Sequence, residues 1–345
     1  MLSAYRKKYS CMNVLLKCTE EWKRALDNND VVGCILMDLS KAFDLIPHDL
    51  LVSKLFAYGC TLDACQLIKS YLSNRHQRVK IESNYSEWMT LKSGVPQGSL
   101  MGPILFNVFI NDLLVELSQH CTVYNYADDN SLSFNHADPL LVKDTLVRSA
   151  NVTLQWFEMN KMKANPSKFQ ALVLARNGKG NGLVFNLRNE TKIEPSQNVK
   201  LLGMYLDREL NFSYHIDELS KKCSKQINAM ARLSIYLTKE CRLLILNSFI
   251  MSNMNYCAVI YHYCSMTDSK KLERLQKRSL RIILRDYNSS YHEMLSILGL
   301  QTLYVRRMKC IMQCIYKILN NDLPPMHSDS LPIKRRPYDA RQQRS

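Results

Sequence analysis

Two adjacent carboxylates, Asp128 and Asp129, constrain the fold of this chain more than any other feature. Runs in which apolar and polar residues roughly alternate flank them, 123–126 before and 131–134 after. Two such runs joined by a tight polar pair predict a β-hairpin with both carboxylates at its tip. Because like charges repel, a cation between the side chains favours this arrangement, and Mg²⁺ prefers oxygen ligands of this kind. A solvated Asp-Asp turn is the alternative interpretation.

A third carboxylate, Asp38, follows the almost wholly apolar run 31–37. A continuous apolar run predicts a strand that is buried on both faces, so its terminal carboxylate emerges where the sheet meets solvent. Apolar residues at helical spacing predict a helix over 11–27 before this strand. After it, Pro47-His48-Asp49 predicts the first turn of another helix rather than a catalytic group.

Two glycines and a proline in the segment 93–99 predict a tight loop through which the backbone can approach a ligand closely. Residues 78–81 and 88–91 predict paired strands around Ser83-Asn84 that lead into this loop. After the loop, an apolar helix is predicted over 104–117. An ordinary turn is the alternative interpretation of the loop itself.

The second half of the chain is predicted to become mainly helical. A helix over about 140–161 precedes a strand over 171–174. Residues 199–206 predict another strand, and its internal Gly203 suggests a close approach of backbone. From about residue 215 onward, apolar spacing predicts five helices over 215–237, 239–262, 268–286, 291–298 and 303–320.

The chain of 345 residues carries a formal net charge of +15. Two-thirds of the surplus lies in residues 270–345, which hold sixteen Lys/Arg against six Asp/Glu. A basic surplus concentrated in this way predicts a polyanionic partner, with nucleic acid ahead of an anionic membrane surface. A basic surface that serves only solubility is the alternative. The last residues, 323–345, predict a basic, disordered tail.

Twelve cysteines raise the question of disulfides or zinc, but no Cys-x-x-Cys pair occurs. Cys257, His262 and Cys264 come nearest to a metal cluster, and they lie in an apolar stretch. Core thiols in a reducing compartment are the favoured interpretation. Neither a signal peptide nor an apolar run of about 18 residues is visible, so we expect an intracellular protein without a membrane partner.

The order and spacing of these features indicate a type of chemistry. The strand ending in Asp38 comes first, the loop and its helix follow, and the carboxylate hairpin comes next. Three carboxylates from two adjacent strands can hold two divalent ions, which activate an attacking hydroxyl and stabilise a leaving pyrophosphate. A basic helical region beside them can hold a duplex by its phosphates. The combination predicts a templated nucleotide polymerase.

Six parts of the sequence resemble the reverse transcriptases of jockey-like non-LTR (LINE-type) retrotransposons. In chain order these are 37–44, 93–103, 126–129, Trp156-Phe157 with Asn160, Asn165 and Lys168, then 201–203 and 275–278. The resemblance extends from Ser3 to about residue 320. It implies an α+β, right-hand polymerase fold with a ferredoxin-like palm, partial fingers and a helical thumb. It also implies RNA-directed DNA polymerase activity, the two-metal addition of deoxynucleotides to a DNA primer 3′-OH on an RNA template.

The resemblance also implies roles for individual residues. The implied catalytic, metal-binding carboxylates are Asp38, Asp128 and Asp129. Together with the backbone of Leu39, they would hold two Mg²⁺ ions, or Mn²⁺. The implied nucleotide-binding residues are Phe43, Gln97, Gly98, Tyr126 and Arg6. The implied primer grip is Leu201, Leu202 and Gly203.

Two of the implied roles have alternatives. Phe43 resembles a steric gate that would clash with a ribose 2′-OH, but core packing would also explain a phenylalanine there. Lys168 resembles a general acid for the pyrophosphate, and a solvated lysine is the alternative.

The resemblance divides the chain into a partial fingers segment (1–30), a palm with an inserted fingers hairpin (31–212), a helical thumb (213–322) and the basic tail (323–345). Compared with the family, the sequence is expected to be N-terminally truncated and to lack the endonuclease domain. The implied partners are an RNA template, a DNA primer and deoxynucleoside triphosphates, with an element-encoded endonuclease and RNA-binding protein. The expected location is the nucleus or a cytoplasmic ribonucleoprotein.

Two other functions stay open at this point. A truncated, catalytically inactive relic would keep nucleic-acid binding without synthesis. An RNA-templated RNA polymerase shares the two-metal palm, but Phe43, and Ala127 rather than Gly before the paired aspartates, disfavour it.

Overall fold

The computed structural model describes residues 2–176, 178–188, 190–320 and 322–324, so the predicted basic tail lies almost entirely outside the described residues. The helices are α1 (Cys11–Asp27), α2 (Ala42–Leu45), α3 (His48–Ala57), α4 (Leu62–Leu72), α5 (Met101–Leu117), α6 (Pro139–Met159), α7 (Ser213–Leu233), α8 (Lys239–Ile245), α9 (Ser252–Asn255), α10 (Met266–Leu284), α11 (Tyr291–Ile297) and α12 (Leu303–Leu319). A 3₁₀ turn (Pro166–Lys168) and a π-helical segment (Leu246–Met251) complete the helical elements of the described chain.

The strands of the described chain form one larger sheet and several two-stranded pairs. They are β1 (Val31–Met37), β2 (Leu39–Ser40), β3 (His76–Gln77), β4 (Lys80–Ile81), β5 (Asn84–Tyr85), β6 (Met89–Thr90), β7 (Thr122–Tyr126), β8 (Asp129–His136), β9 (Lys163–Ala164), β10 (Gln170–Leu174), β11 (Phe185–Asn186), β12 (Lys192–Ile193), β13 (Asn198–Leu201) and β14 (Met204–Asp207).

The larger sheet is antiparallel and has the strand order β10-β1-β8-β7. Counting only these four strands, the chain runs strand, helices, strand, strand, helix, strand. In the sheet, the first of these four strands (β1) thus lies between the third (β8) and the fourth (β10). This is the ferredoxin-like arrangement. The ferredoxin-like topology predicted for the palm is therefore confirmed. Strand β1, which ends directly before Asp38, and strand β8, which begins at Asp129, are adjacent central strands.

The sheet separates two apolar cores because side chains of a strand alternate between its faces. On β1, Val32 and Cys34 belong to the core that includes α1 and the C-terminal helices. Val31 and Ile35 belong to the core on the other face, which includes α5 and α6. The continuous apolar run is buried on both sides, as its sequence predicts.

The segment 1–30 includes α1, which packs directly on the sheet. Trp22 of α1 is buried and its indole N–H donates to the hydroxyl of Ser133 on β8, at 2.9 Å. Helix α6 covers the opposite face and approaches β1 closely at Gly33. A Cβ at Gly33 would lie 2.5 Å from Cδ1 of Leu146 and 2.7 Å from Cγ1 of Val142.

The C-terminal half is helical, as predicted, but two helices end earlier than predicted. The helix predicted over 215–237 ends at Leu233. The helix predicted over 239–262 ends at Asn255 and contains the π-helical segment. Tyr256 is extended and Cys257 has a positive φ of 50°, which ends the helix. Residues 257–261 nevertheless stay mostly buried. Apolar residues therefore continue past the end of the helix, which is why the apolar spacing in the sequence predicts a longer helix.

The strand predicted over 199–206 is also wrong, because these residues form a β-hairpin. Strands β13 and β14 pair antiparallel, and Leu202-Gly203 is the two-residue turn between them. Leu202 and Gly203 have φ values of 45° and 82°. Positive φ at both turn positions matches the twist of the flanking strands, and leucine at the first of them conceals the turn in the sequence.

The pairing predicted for 78–81 with 88–91 is wrong in register. Lys80 and Ile81 pair with residues 84–85, and Met89-Thr90 pairs with His76-Gln77. Glu82 takes a φ of 53°, so the turn falls one residue earlier than predicted. All residues from 76 to 90 are exposed, so no buried face fixes the register that the sequence pattern predicts.

Candidate active site

Asp38 lies at the edge of the central sheet, directly after β1. Met37 pairs with Asn130 of β8, which brings Asp38 next to Asp129 across the two strands. The carbonyl of Asp38 accepts a hydrogen bond from the Asn165 amide at 3.1 Å. Its side chain remains 28% exposed, at the end of a strand that is otherwise buried.

The second group of carboxylates lies at the tip of the β7–β8 hairpin, as predicted. Tyr126 pairs with Asp129, and Ala127-Asp128 forms the turn with a φ of 55° at Ala127. The buried amide of Asn125 donates to the Ala127 carbonyl at 2.9 Å and to the Asn130 side-chain oxygen at 2.8 Å. The turn that carries the carboxylates is therefore held from inside the sheet.

The three carboxylates affect each other electrostatically. The pKa of Asp129 is raised, first by loss of hydration and then by the negative charges of Asp128 and Asp38. Lys168 forms an ion pair with Asp38, with 3.1 Å between Nζ and Oδ2. Mutual repulsion of three hard oxygen donors is what divalent cations relieve, so the residues present fit Mg²⁺ or Mn²⁺.

The side chains are nevertheless not arranged as a finished metal site. Within the described ranges 2–176, 178–188, 190–320 and 322–324, no three His, Cys, Asp or Glu side chains form a group that could hold a metal ion as they stand. Asp38 is paired with an ammonium group instead. Cys257, His262 and Cys264, which come nearest to a metal cluster in the sequence, likewise form no such group, and all twelve cysteines are free thiols.

A cavity of about 300 Å³ joins the carboxylates to the β13–β14 hairpin. Its lining includes Asp38, Asp129 and Lys168 together with Leu201 and Leu202. Gly203, the second residue of the turn, lines a neighbouring groove of about 500 Å³. The structure thus brings the predicted primer-grip residues next to two of the three predicted catalytic carboxylates.

The loop 93–98 packs on the turn that follows Asp38. The amide of Val95 donates to the Phe43 carbonyl at 2.8 Å, and the side chain of Gln97 donates to Asp44 at 2.8 Å. Gly94 has a φ of 87°, and a Cβ there would lie 2.7 Å from the Asp44 carbonyl oxygen. Only glycine allows this close packing, which places Gln97 beside the predicted steric gate.

His48 also holds this loop. Its Nε2 lies 2.7 Å from the Gly94 carbonyl oxygen. His48 begins α3, as the sequence predicts, and the contact with Gly94 adds a positioning role that the sequence did not reveal. Gly98, farther along the loop, is exposed and has no atom within 4 Å of a Cβ built on it.

Phe43 is half-buried, and its ring contacts two other aromatic rings. Its ring stacks on Phe106 with centroids 4.5 Å apart, and meets Tyr5 edge-on at 6.3 Å. Tyr5 is also close to the carboxylates, since burial and then the charge of Asp128 raise its pKa. Sequence reasoning missed Tyr5, because no periodicity links it to a hairpin some 120 residues away.

The remaining predicted residues lie at the edges of this site. Arg6 is exposed, its guanidinium stacks on Tyr9 at 4.4 Å, and it donates to the Leu2 carbonyl, so it is not brought to the carboxylates. Tyr126 is half-buried, and burial raises its pKa to about 12, with a further contribution from the neighbouring Cys11 thiol. Leu39 is buried in β2, which pairs with β9.

No helix in the described part of the chain has the length and apolar character needed to cross a membrane.

Comparisons with known proteins relate this chain to a family. The sequence profile described as reverse transcriptase (RNA-dependent DNA polymerase) matches residues 2–206. The RNA-directed DNA polymerase from mobile element jockey of Drosophila melanogaster is 28% identical over 272 residues, which are 75% of this chain and 29% of that protein. The probable RNA-directed DNA polymerase from transposon BS of the same organism is 25% identical over 295 residues, 81% of this chain and 32% of that protein.

Solved structures give a weaker likeness. The structure of telomerase from Candida tropicalis in complex with a TWJ fragment of telomeric RNA matches 95% of this chain and 52% of that chain. The identity is 12% and the TM-score is 0.44. The chain spans about a third of the length of the two curated relatives described above.

Proposed function

The chain belongs to the reverse transcriptase (RNA-dependent DNA polymerase) family, and from this premise we propose that it adds deoxynucleotides to a DNA primer on an RNA template. Its fold is the α+β, right-hand polymerase fold of that family. The observation that carries the proposal is the cavity that Asp38 and Asp129 share with Leu201 and with Leu202 of the β13–β14 turn. A primer end held at that turn would lie against the carboxylates.

Asp38, Asp128 and Asp129 are the proposed ligands of two Mg²⁺ ions, or Mn²⁺, with the backbone of Leu39 beside them. Their support is the strand pairing that sets Asp38 beside Asp129, together with the pKa of Asp129, which is raised by burial and then by the charges of Asp128 and Asp38. When bound, such ions activate the attacking 3′-hydroxyl and stabilise the charge of the leaving pyrophosphate. Lys168 holds Asp38 in the free chain, and as a cation beside the same cavity it is the proposed proton donor to pyrophosphate.

The incoming nucleotide is proposed to lie over Phe43, with Gln97, Gly98 and Tyr126 around it. The Phe43 ring is backed by Phe106, so it cannot easily withdraw from a ribose 2′-hydroxyl. This support favours a deoxynucleotide substrate over a ribonucleotide. Arg6 is the least supported member of the proposed set, because its guanidinium contacts Tyr9 and Leu2 instead of the cavity.

The RNA–DNA duplex is proposed to lie between the carboxylates and the C-terminal helices. Helix α10 exposes Lys270, Arg274 and Arg278, one helical turn apart on the same side, and Arg278 is hydrogen-bonded to Asn228 of α7. Cations along a helix bind phosphates irrespective of the nucleotide sequence. This face of α10 would therefore hold the duplex without selecting among nucleotide sequences.

The domain division is proposed in the same terms as the sequence predicts it, with the palm over 31–212 and the thumb over 213–322. The proposed setting is a non-LTR retrotransposon of the jockey-like group. Its ribonucleoprotein, in nucleus or cytoplasm, would also contain the element's endonuclease and RNA-binding protein.

The test is primer extension by the purified chain on an RNA template, with a labelled DNA primer, deoxynucleotides and Mg²⁺. We expect the wild type to extend and Asp128→Asn to be about a thousandfold slower, because divalent ions contribute several kcal/mol of transition-state stabilisation. Asp144→Asn is the matched control, since Asp144 is an exposed aspartate on α6. RNA–DNA binding, measured by fluorescence anisotropy, should be similar in all three.

Two results would contradict the proposal. Extension by Asp128→Asn at a rate near that of the wild type would refute the site. Duplex binding without extension by the wild type would favour the alternative function, a catalytically inactive nucleic-acid-binding relic.

A further inference from the structure

The turn at Leu202-Gly203 is held by a residue far away in the sequence. The hydroxyl of Tyr256 donates a hydrogen bond to the Leu202 carbonyl at 2.7 Å. Its ring lies under Gly203, where a Cβ would be 3.3 Å from Cε1 of the ring. Tyr256 therefore contacts both residues of a turn whose backbone has positive φ at each position.

This contact matters because the turn forms a wall of the site. Leu202 lines the cavity that contains Asp38 and Asp129. Gly203 and Tyr256 line the adjoining groove, and Lys200 lines both. A shift of the turn would therefore change the distance between the proposed primer-binding surface and the carboxylates.

Leu202 needs such an external contact. A positive φ costs a non-glycine residue about 1 kcal/mol or more, and it persists only when the surroundings hold it. The hydrogen bond from Tyr256 satisfies the carbonyl of that residue, and the ring fills the space below the glycine.

The electrostatic surroundings of the same tyrosine extend to the first residue of α1. Burial raises the pKa of Tyr256, and the neighbouring thiols of Cys257 and Cys11 raise it further. Burial and the Cys11 thiol also raise the pKa of Tyr126, which pairs with Asp129 in the carboxylate hairpin. Cys11, which begins α1, therefore lies near both tyrosines.

We propose that Tyr256 is a positioning residue that fixes the Leu202-Gly203 turn against the carboxylate hairpin and so sets where the primer 3′ end lies. The inference rests on the proposed function. It adds to the implied primer grip a residue of the C-terminal helical region that lies outside every matched motif. Tyr256 acts through the turn and does not need to touch a reacting atom.

The experiment compares wild type, Tyr256→Phe and a control, Tyr263→Phe. Phenylalanine keeps the ring under Gly203 and removes only the hydroxyl. Tyr263 lies in the same segment and is 75% exposed. Primer extension gives kcat and the KM for the primer, anisotropy gives the Kd for the primer–template duplex, and thermal unfolding checks the fold.

We expect Tyr256→Phe to raise both KM for the primer and duplex Kd about fivefold, with kcat within about twofold and Tm nearly unchanged, since one ordering hydrogen bond is lost. Tyr263→Phe should match the wild type. Gly203→Ala, which pushes a methyl group against the Tyr256 ring, should raise the same two constants while leaving the hydroxyl in place.

Unchanged KM and Kd in Tyr256→Phe would overturn the inference. So would a fall in Tm and kcat at constant KM, because that pattern describes a contact that only stabilises the fold. If the wild type binds duplex but does not extend, the proposed function fails by itself, and the comparison of Kd values still decides the role of Tyr256.

Discussion

The clearest prediction about stability concerns His215, near the start of α7. This side chain is only 7% exposed and packs on the Tyr261 ring with centroids 5.4 Å apart. Its Nδ1 accepts a hydrogen bond from the Tyr205 amide at 3.4 Å. Burial lowers the pKa of His215 from 6.5 to about 4, so the folded chain keeps this imidazole neutral.

The sign and size of the effect follow from that pKa. Below pH 6.5 the unfolded chain binds a proton at this residue and the folded chain does not, so stability falls as the pH falls. The full loss is about 3 kcal/mol by pH 4, of which about 2 kcal/mol is expressed at pH 5. Glu218 and Lys222 line the groove of about 500 Å³ that His215 also lines. Neither affects the pKa of His215 as strongly as burial does.

Urea denaturation at pH 7.5 and pH 5.0 measures this contribution. His215→Asn keeps an oxygen acceptor near the position of Nδ1 but cannot titrate, so its stability should depend less on pH by about 2 kcal/mol over this interval. His120→Asn is the control, because His120 is exposed. The reasoning is refuted if the difference between pH 7.5 and 5.0 is the same in His215→Asn as in the wild type.

Three further predictions follow from contacts of single residues. Gly33→Ala should lower the free energy of unfolding by about 1–3 kcal/mol, because its methyl group would overlap Leu146; an unchanged urea midpoint would contradict this. Glu273→Gln should cost about 2 kcal/mol in thermal unfolding, because the Glu273 carboxylate accepts the first two backbone N–H groups of α12; a Tm equal to that of the wild type would contradict it. Phe43→Val should raise ribonucleotide relative to deoxynucleotide incorporation about tenfold or more, and an unchanged ratio would argue for packing alone.

The parts of the fold with strong local patterns could be predicted from the sequence. The apolar run ending in Asp38 became β1, and the alternating runs around Asp128 became a hairpin, because each pattern matches the period of the element it forms. The helices α1 and α6 were also predicted within two residues of their observed ends.

The failures share a physical cause, which is that long-range contacts decide the local conformation. Leu202 takes a positive φ although leucine does not favour it, and Tyr256, fifty-four residues later, holds it there. The apolar residues after Asn255 pack in the core without being helical. Neither choice is visible in the spacing of nearby residues.

The candidate site shows the same limit. The sequence places the carboxylates near one another through order and spacing, but it cannot show which side chains surround them. Tyr5 and His48 entered the site only through contacts with Phe43 and Gly94. Such residues become identifiable when their partners are known.

The apolar core on the α1 side of the sheet has a consequence for modularity. It joins Val32 and Cys34 of the central strand to Ile216, Met254 and other residues of the C-terminal helices without interruption. These helices therefore share their interior with the sheet and do not fold around one of their own. A chimera that exchanged them for those of a distant relative would have to replace one face of the central sheet as well.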